Sequence, residues 1–246
     1  MREAVIVSTA RTPIGKAFRG AFNDTQAQEM AGHAIAEAVK RSKVSKEEID
    51  DVIIGAAGQQ GSQQGNIARQ SLLRAGLPVS VAGMSLDRQC ASGMMAIATA
   101  AKEITEDGMT ITVGGGVESV SLVRNENFRM DRARDPWLEE NIPSLYMTMI
   151  ETAENVAKRY GISREAQDEY SLQSQMRTAR AQQNGYMDKE IVPLKSTMKY
   201  KDKETGEISS HDVCIEKDEG NRPSTTLEGL SALKPVFKDG IYLKEG

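Results

Sequence analysis

The feature that most constrains the fold is an alternation of β-rich runs and helical periods from residue 4 to residue 116. Alternation of this kind predicts an α/β fold with a parallel-rich sheet and covering helices, because parallel strands need a crossover between them. The predicted strands are AVIVSTA (4–10), DVIIGAA (51–57), VAGMSL (81–86) and MTITVGGG (109–116). The predicted helices between them are 26–41, 66–75 and 91–105.

The rhythm changes after residue 118. Two longer helical patterns follow, 151–160 and 164–184, and then two short strand candidates, 191–194 and 212–215, in a segment rich in both charge signs. We therefore predict two domains. Residues 1–118 form the sheet domain, and residues 119–246 form an α/β domain inserted over the sheet.

Composition excludes several classes of protein. The formal charge of −4 gives no basic surface for nucleic acid or an anionic membrane, and no run is apolar enough to span a bilayer. With two cysteines, Cys90 and Cys214, a disulfide framework is not expected. Because the N-terminus leads directly into a strand-like run, a targeting peptide is not expected and a cytoplasmic location is predicted.

Cys90 lies between a predicted strand and a predicted helix, within SLDRQCASGMMA (85–96). The first N–H groups of the helix and the positive end of its dipole favour a thiolate there, so the sulfur could act as a nucleophile. The small residues Ala91, Ser92 and Gly93 allow close approach of a ligand. The residues alone leave a second interpretation open, in which Cys90 is a small buried residue that packs this corner.

Together with four other segments, this stretch resembles the thiolases, which are acetyl-CoA acyltransferases, and the resemblance covers the whole chain. The segments are STARTPIGKAFRGAF (8–22), GSQQGNIARQ (61–70), VGGGVESVS (113–121) and ETAENVAKRYGISREAQDEYSLQSQ (151–175). The resemblance implies the N-terminal half of a thiolase fold with its inserted loop domain. It also implies that Cys90 accepts the acyl group of an acyl-CoA and that its own backbone N–H lies in an oxyanion hole.

The resemblance further implies that the loop domain binds coenzyme A as a substrate, with no tightly bound cofactor. Arg222 matches an arginine at the nucleotide end, Gly229 and Leu230 lie in the pantetheine segment, and Met149 matches a residue of the acyl pocket. Two of these have ordinary alternatives: Arg222 could form a surface ion pair, and Met149 could belong to the core. Gly229 stands where a serine often contacts the cofactor, and Thr148 where some acetyl-specific members have histidine.

Other candidates are weaker. Glu118 follows three glycines at a strand end, and we expect it mainly to accept hydrogen bonds from nearby backbone groups. His211 and Cys214 are too few for a zinc site, so no metal is predicted.

Three thiolase motifs are absent from these 246 residues: Gly-His-Pro, Cys-x-Gly-Gly and Asn-Glu-Ala-Phe. They supply the base, the acid/base cysteine and the second oxyanion hole of the family. We therefore expect acyl transfer, with reversible condensation or thiolysis of 3-ketoacyl-CoA, to need a C-terminal thiolase half as a second chain, in a homo- or hetero-oligomer. The alternatives are a non-catalytic acyl-CoA-binding or scaffold subunit, or a truncated fragment.

Overall fold

The computed structural model describes residues 2–236, which form two compact units. The first unit comprises residues 2–128 and 187–220, and the second comprises residues 129–186 and 221–236. These units differ from the predicted domains, because residues 187–220 pack with the N-terminal part of the chain. The end of the chain from Phe237 onward, where the sequence suggests a strand or turn, lies outside the described residues.

The first unit is built on a parallel sheet of three strands. They are β1 (Asp51–Gly55), β2 (Ala82–Leu86) and β3 (Thr112–Gly116), in the order β2-β1-β3. Every residue of β1 is buried, as its apolar residues Val52, Ile53 and Ile54 require at the centre of a covered sheet. The predicted α/β fold with a parallel sheet is therefore confirmed.

Helices cover both faces of this sheet. They are α1 (Ala27–Ser42), α2 (Ile67–Arg74) and α3 (Ser92–Thr105), with a short α4 (Val120–Val123) after β3. Alternate side chains of a strand point to opposite faces. Val52 and Ile54 accordingly pack in one cluster with residues of α1 and α2, whereas Ile53 packs in another with residues of α3. These contacts set α3, and the turn that precedes it, against the sheet.

The predicted first strand, AVIVSTA, is wrong for this structure. Residues 2–10 form no strand, and Val5, Ile6 and Val7 are all exposed. A strand is stable only where neighbouring strands take up its hydrogen bonds and its apolar side chains. Within residues 2–236 this segment has no such neighbour, so its strand-like composition is not sufficient.

A β-hairpin completes the first unit. Its strands, β4 (Leu194–Lys201) and β5 (Ile208–Ile215), pair antiparallel as a separate sheet. The strand predicted over 191–194 is wrong except at Leu194, where β4 begins, whereas the strand predicted over 212–215 is the second half of the longer β5. At its base Leu194 packs against Ala21, Phe22 and Met30. Arg11, in the N-terminal loop, bonds the segments just before and just after the hairpin. Its guanidinium donates to the Asp218 carboxylate at 2.7 and 3.0 Å and to the Glu190 carboxylate at 2.7 Å.

The second unit is helical. Its helices are α5 (Pro136–Asn141), α6 (Met149–Tyr160), α7 (Arg164–Gln183) and α8 (Leu227–Ser231). Thr148 begins α6 with a capping box, in which its hydroxyl and the Glu151 carboxylate each bond the other residue's backbone N–H. Short 3₁₀ turns occur in both units, at Lys46–Glu48, Gly61–Gln63 and Pro143–Tyr146. None of the helices described is long and apolar enough to cross a bilayer.

Candidate active site

Cys90 lies in the turn between β2 and α3, at the carboxyl end of the parallel strands. The turn comprises residues 87–91, and Cys90 is exposed within it. The interpretation of Cys90 as a buried packing residue is therefore wrong. Ligands of open α/β sheets bind at this end of the strands, where the connecting loops meet.

The turn is fixed by hydrogen bonds on both sides of Cys90. Gln89 adopts a φ of 50°, a left-handed conformation that L residues with a side chain rarely take. Its N–H donates to the Asp87 carboxylate at 2.7 Å. The Ser92 hydroxyl accepts from the Arg88 N–H at 2.8 Å and donates to the Gln89 carbonyl at 2.6 Å. Sequence reasoning treated Ser92 only as a small residue and missed both bonds.

Glycines let the start of α3 lie directly on the sheet. A Cβ on Gly55 of β1 would lie 2.2 Å from both the carbonyl carbon and the oxygen of Ser92. A Cβ on Gly116 of β3 would lie 2.9 Å from the Cα of Gly93, and real Cβ atoms do not come this close. The two strands therefore need glycine opposite the beginning of the helix that follows Cys90.

The first turn of α3 offers backbone donors beside Cys90. Its N-cap residue is Ala91, and no side chain caps it. The first N–H groups of an α-helix have no intrahelical acceptor, and the helix dipole places partial positive charge there. The N–H groups of Ala91 and Ser92 already donate to the carbonyls of Arg88 and Gln89, both at 3.1 Å, so the donors suited to a thiolate or a developing oxyanion are the next ones in the first turn.

Glu118 joins two of the loops at this end of the sheet. Its carboxylate accepts hydrogen bonds from the backbone N–H groups of Ala57 and Gly58, at 2.9 and 3.3 Å. The side chain of Gln63, which is buried, donates to the same carboxylate at 2.8 Å and accepts from the Ser119 N–H. The expectation that Glu118 satisfies backbone donors is confirmed, whereas Gln63 gave no signal in the sequence.

The segment GSQQGNIARQ fastens α2 to the outer edge of β2, the strand that leads to Cys90. Asn66, with a φ of 63°, accepts from the Arg69 N–H at 3.1 Å and donates to the Gly83 carbonyl at 2.8 Å. The Arg69 guanidinium donates to the carbonyls of Val79, at 2.9 Å, and Val81. These side chains satisfy edge carbonyls that have no neighbouring strand among the described residues.

The amino end of the sheet carries a different kind of polar group. Asp51 at the start of β1 and Glu103 in α3 are both buried, Glu103 to 8 % exposure. One oxygen of Glu103, Oε2, has no hydrogen-bond partner among the described residues. Burial raises the pKa of Glu103, and the nearby carboxylates of Asp51 and Asp107 raise it further. Burial also raises the pKa of Asp51, against a lowering by the Val52 N–H.

The four predicted coenzyme A residues lie in the second unit. Gln175 accepts from the Arg222 N–H at 2.8 Å, and the Arg222 side chain is exposed with no carboxylate paired to it in the described part of the chain. Gly229 and Leu230 lie in α8, whose cap Thr226 accepts from the Gly229 N–H at 3.1 Å. Met149 is 77 % exposed at the start of α6, so it is not a core residue of this unit. Their contacts with coenzyme A stay predictions.

No group of three or more His, Cys, Asp or Glu side chains within residues 2–236 is placed to bind a metal ion. His211 and Cys214 both lie in β5, where the His211 ring is 2.9 Å from the Ser209 hydroxyl.

Comparison with known proteins identifies the family. The sequence model described as "Thiolase, N-terminal domain" matches residues 4–241. The chain belongs to the thiolase family. This thiolase chain is 38 % identical over 239 residues to a 3-ketoacyl-CoA thiolase of Bacillus subtilis, and 38 % identical over 251 residues to a β-ketoadipyl-CoA thiolase of Pseudomonas putida. The crystal structure of the Bacillus anthracis acetyl-CoA acetyltransferase matches it with a TM-score of 0.79 and 36 % identity.

The similarity extends over almost all of this thiolase chain but over only part of its relatives. It covers 96 % of the chain and 60 % of each of these two thiolases, and 98 % of the chain and 60 % of the acetyltransferase structure. The chain thus spans about 60 % of the length of these relatives.

Proposed function

We propose that Cys90 is the acyl-accepting nucleophile of a thiolase active site. The Cys90 thiolate attacks the thioester carbon of an acyl-CoA, forming a new carbon–sulfur bond. The bond to the coenzyme A sulfur breaks, and coenzyme A leaves as a thiolate that takes up a proton. The observation that supports this most strongly is the exposed position of Cys90 at the uncapped start of α3, within a family sequence motif. One thioester replaces another, so the step is reversible.

Coenzyme A is bound by the second unit, through Arg222, Gly229, Leu230 and Met149. The exposed guanidinium of Arg222 suits the phosphates and the adenine plane of the nucleotide, because it combines charge with a flat surface. Gly229 has no side chain to contact the cofactor, so this position offers its backbone alone.

Condensation or thiolysis of a 3-ketoacyl-CoA also uses residues that this sequence does not contain. The names of the relatives, 3-ketoacyl-CoA thiolase and acetyl-CoA acetyltransferase, support that reaction for the family. A C-terminal thiolase half supplies the base and the second oxyanion hole. The exposed apolar residues Met94 and Ile97 on α3 support a covering partner. Assembly as an oligomer in the cytoplasm stays a prediction.

The test is the intact mass of the purified chain after incubation with acetyl-CoA, followed by peptide mapping. We expect a slowly formed acetyl adduct on Cys90 in the wild-type chain and in Cys214→Ser, which removes the other cysteine. Acylation needs the nucleophile, whereas condensation also needs the base of the C-terminal half. Cys90→Ser should carry no adduct. An adduct on Cys214, or none on any cysteine, would contradict the proposal. Binding of acetyl-CoA without an adduct would instead support a non-catalytic acyl-CoA-binding subunit.

A further inference from the structure

We infer that Ser92 is a positioning residue, whose hydroxyl fixes the turn that presents Cys90. The inference rests on the proposed function only in taking Cys90 as the nucleophile. Ser92 itself does not contact the sulfur in the structure, so it acts through the backbone of the turn.

Both hydrogen-bonding functions of the Ser92 hydroxyl are used within the turn. It accepts from the Arg88 N–H and donates to the Gln89 carbonyl, so one atom bonds the two residues that directly precede Cys90. Ser92 is only 4 % exposed, so both bonds are shielded from water on the Ser92 side. Removing the hydroxyl takes the acceptor from the Arg88 N–H, and a hydrogen bond lost from a part-buried position costs free energy.

The turn needs such a restraint because it includes an unfavourable conformation. Gln89 has a φ of 50°, which a residue with a Cβ adopts at an energetic cost. Residues persist in such conformations only where surrounding contacts enforce them. The Asp87 carboxylate bonds the Gln89 N–H, and the Gln89 carbonyl accepts from both the hydroxyl and the backbone N–H of Ser92, at 2.6 and 3.1 Å. The peptide groups on both sides of Gln89 are therefore restrained.

The position of Ser92 is itself fixed by the sheet. The Ser92 backbone has no room to move toward β1, because even a Cβ added to Gly55 would lie 2.2 Å from the Ser92 carbonyl group. The hydroxyl therefore connects the turn at residues 87–91 to a backbone position that the sheet holds in place. Without it, we expect the turn to relax at Gln89 and to carry the sulfur away from the first N–H groups of α3.

The test compares Ser92→Ala with Ser71→Ala. Ser71 is an equally buried serine in the same unit, but its hydroxyl has no hydrogen-bond partner in the described part of the chain. The readout is the rate at which iodoacetamide alkylates Cys90, measured by peptide mass spectrometry against Cys214 in the same molecules. For Ser92→Ala we expect the Cys90 rate to fall about tenfold, which is about 1.4 kcal/mol in barrier height. The Cys214 rate, and both rates in Ser71→Ala, should stay unchanged.

A second measurement distinguishes a positioning role of Ser92 from a general loss of folded structure. In acylation by acetyl-CoA, Ser92→Ala should lower the rate constant at saturation and leave the half-saturating concentration unchanged, because the coenzyme A residues are elsewhere in the chain. Thermal unfolding of each variant shows whether it is folded. A folded Ser92→Ala with an unchanged Cys90 alkylation rate would overturn the inference, as would an equal loss in Ser71→Ala. Failure of the wild-type chain to acylate would refute the proposed function, but the alkylation comparison would still decide the role of Ser92.

Discussion

Two sets of polar groups at opposite ends of the parallel sheet differ in how they are satisfied. At the carboxyl end, Ser92, Glu118 and Asn66 each make two or more hydrogen bonds: Ser92 within its turn, Glu118 between two loops, and Asn66 between α2 and β2. Asp50 at the amino end is similar to them, because it accepts from the N–H groups of Thr110 and Ile111 at 2.7 and 3.1 Å. At the amino end, Asp51 and Glu103 are buried, and one oxygen of Glu103 is unpaired. The three side chains at the carboxyl end therefore restrain the backbone that they bond, whereas Asp51 and Glu103 weaken the fold when they are charged.

This difference matches the demands on each end. A nucleophile must be held within a narrow range of positions, and a network of satisfied hydrogen bonds gives that rigidity. No comparable demand applies to the amino end in the proposed function. Three substitutions test whether the contrast is real, in order of decreasing effect.

The largest effect is expected from Gly55→Ala at the carboxyl end. Its Cβ would lie 2.2 Å from backbone atoms of Ser92, and backbone cannot rotate away as a side chain can. We expect a loss of about 3 kcal/mol in the free energy of unfolding, at the upper end of overpacking costs, measured by urea denaturation. The control is Gly115→Ala in β3, where a Cβ would meet only the Ile54 Cδ1 at 3.7 Å. Equal effects in the two variants would mean that close packing of α3 is not the cause.

Asn66→Ala should have a smaller effect. It removes the cap of α2, worth about 1 kcal/mol, and forces alanine into a left-handed conformation at a further cost of about 1 kcal/mol. Asn66→Gly loses the hydrogen bonds but tolerates the conformation, so it should be about 1 kcal/mol more stable than the alanine variant. The measurement is again urea denaturation. If alanine and glycine were equivalent, the conformation of Asn66 would carry no cost.

The smallest effect is expected from Glu103→Gln, and it should be stabilising. Burial raises the pKa of Glu103 and of Asp51, so the folded chain binds protons more tightly than the unfolded chain. Their contribution to stability is fully present below the unfolded carboxyl pKa of about 4, and it is lost as pH rises through the raised folded value. Glu103→Gln should therefore gain about 1 kcal/mol over the wild type at pH 8 and little at pH 4.

Thermal unfolding across this pH range measures the effect on Glu103→Gln. The control is Glu106→Gln, an exposed residue at the end of the same helix, which should differ little from the wild type at any pH. If the wild type were more stable than Glu103→Gln at pH 8, the charged Glu103 carboxylate would have a stabilising partner.

The parts of the fold that local pattern determines were predictable. The segments DVIIGAA and VAGMSL contain β1 and β2, and the helix predicted over 91–105 agrees with α3 to within one residue. AVIVSTA failed because strand formation depends on a neighbour that composition does not reveal. The hairpin was predicted only in part: residues 212–215 are the end of β5, but residues 191–194 overlap β4 only at Leu194. The remainder of both strands is rich in polar residues that are stabilised by cross-strand pairing, such as Thr197 with Asp212.

The candidate site was predictable at Cys90 and not around it. A cysteine between a strand and a helix gives a local signal in the sequence. Ser92, Gln63 and Gly55 act through contacts with residues far along the chain or through backbone geometry, and their residue types are common at any turn. The segments that carry the thiolase resemblance include Ser92 and Gln63 but not Gly55, and they explain the role of none of the three.

The close contact between Gly55 and the start of α3 also has an evolutionary consequence. The residue type that position 55 can accept is limited by positions 92 and 93, which lie against it. In diverging thiolases we expect a residue larger than glycine at position 55 only where the start of α3 has moved to make room for it. The three positions should therefore substitute together, and a comparison of many sequences would record that steric dependence as covariation.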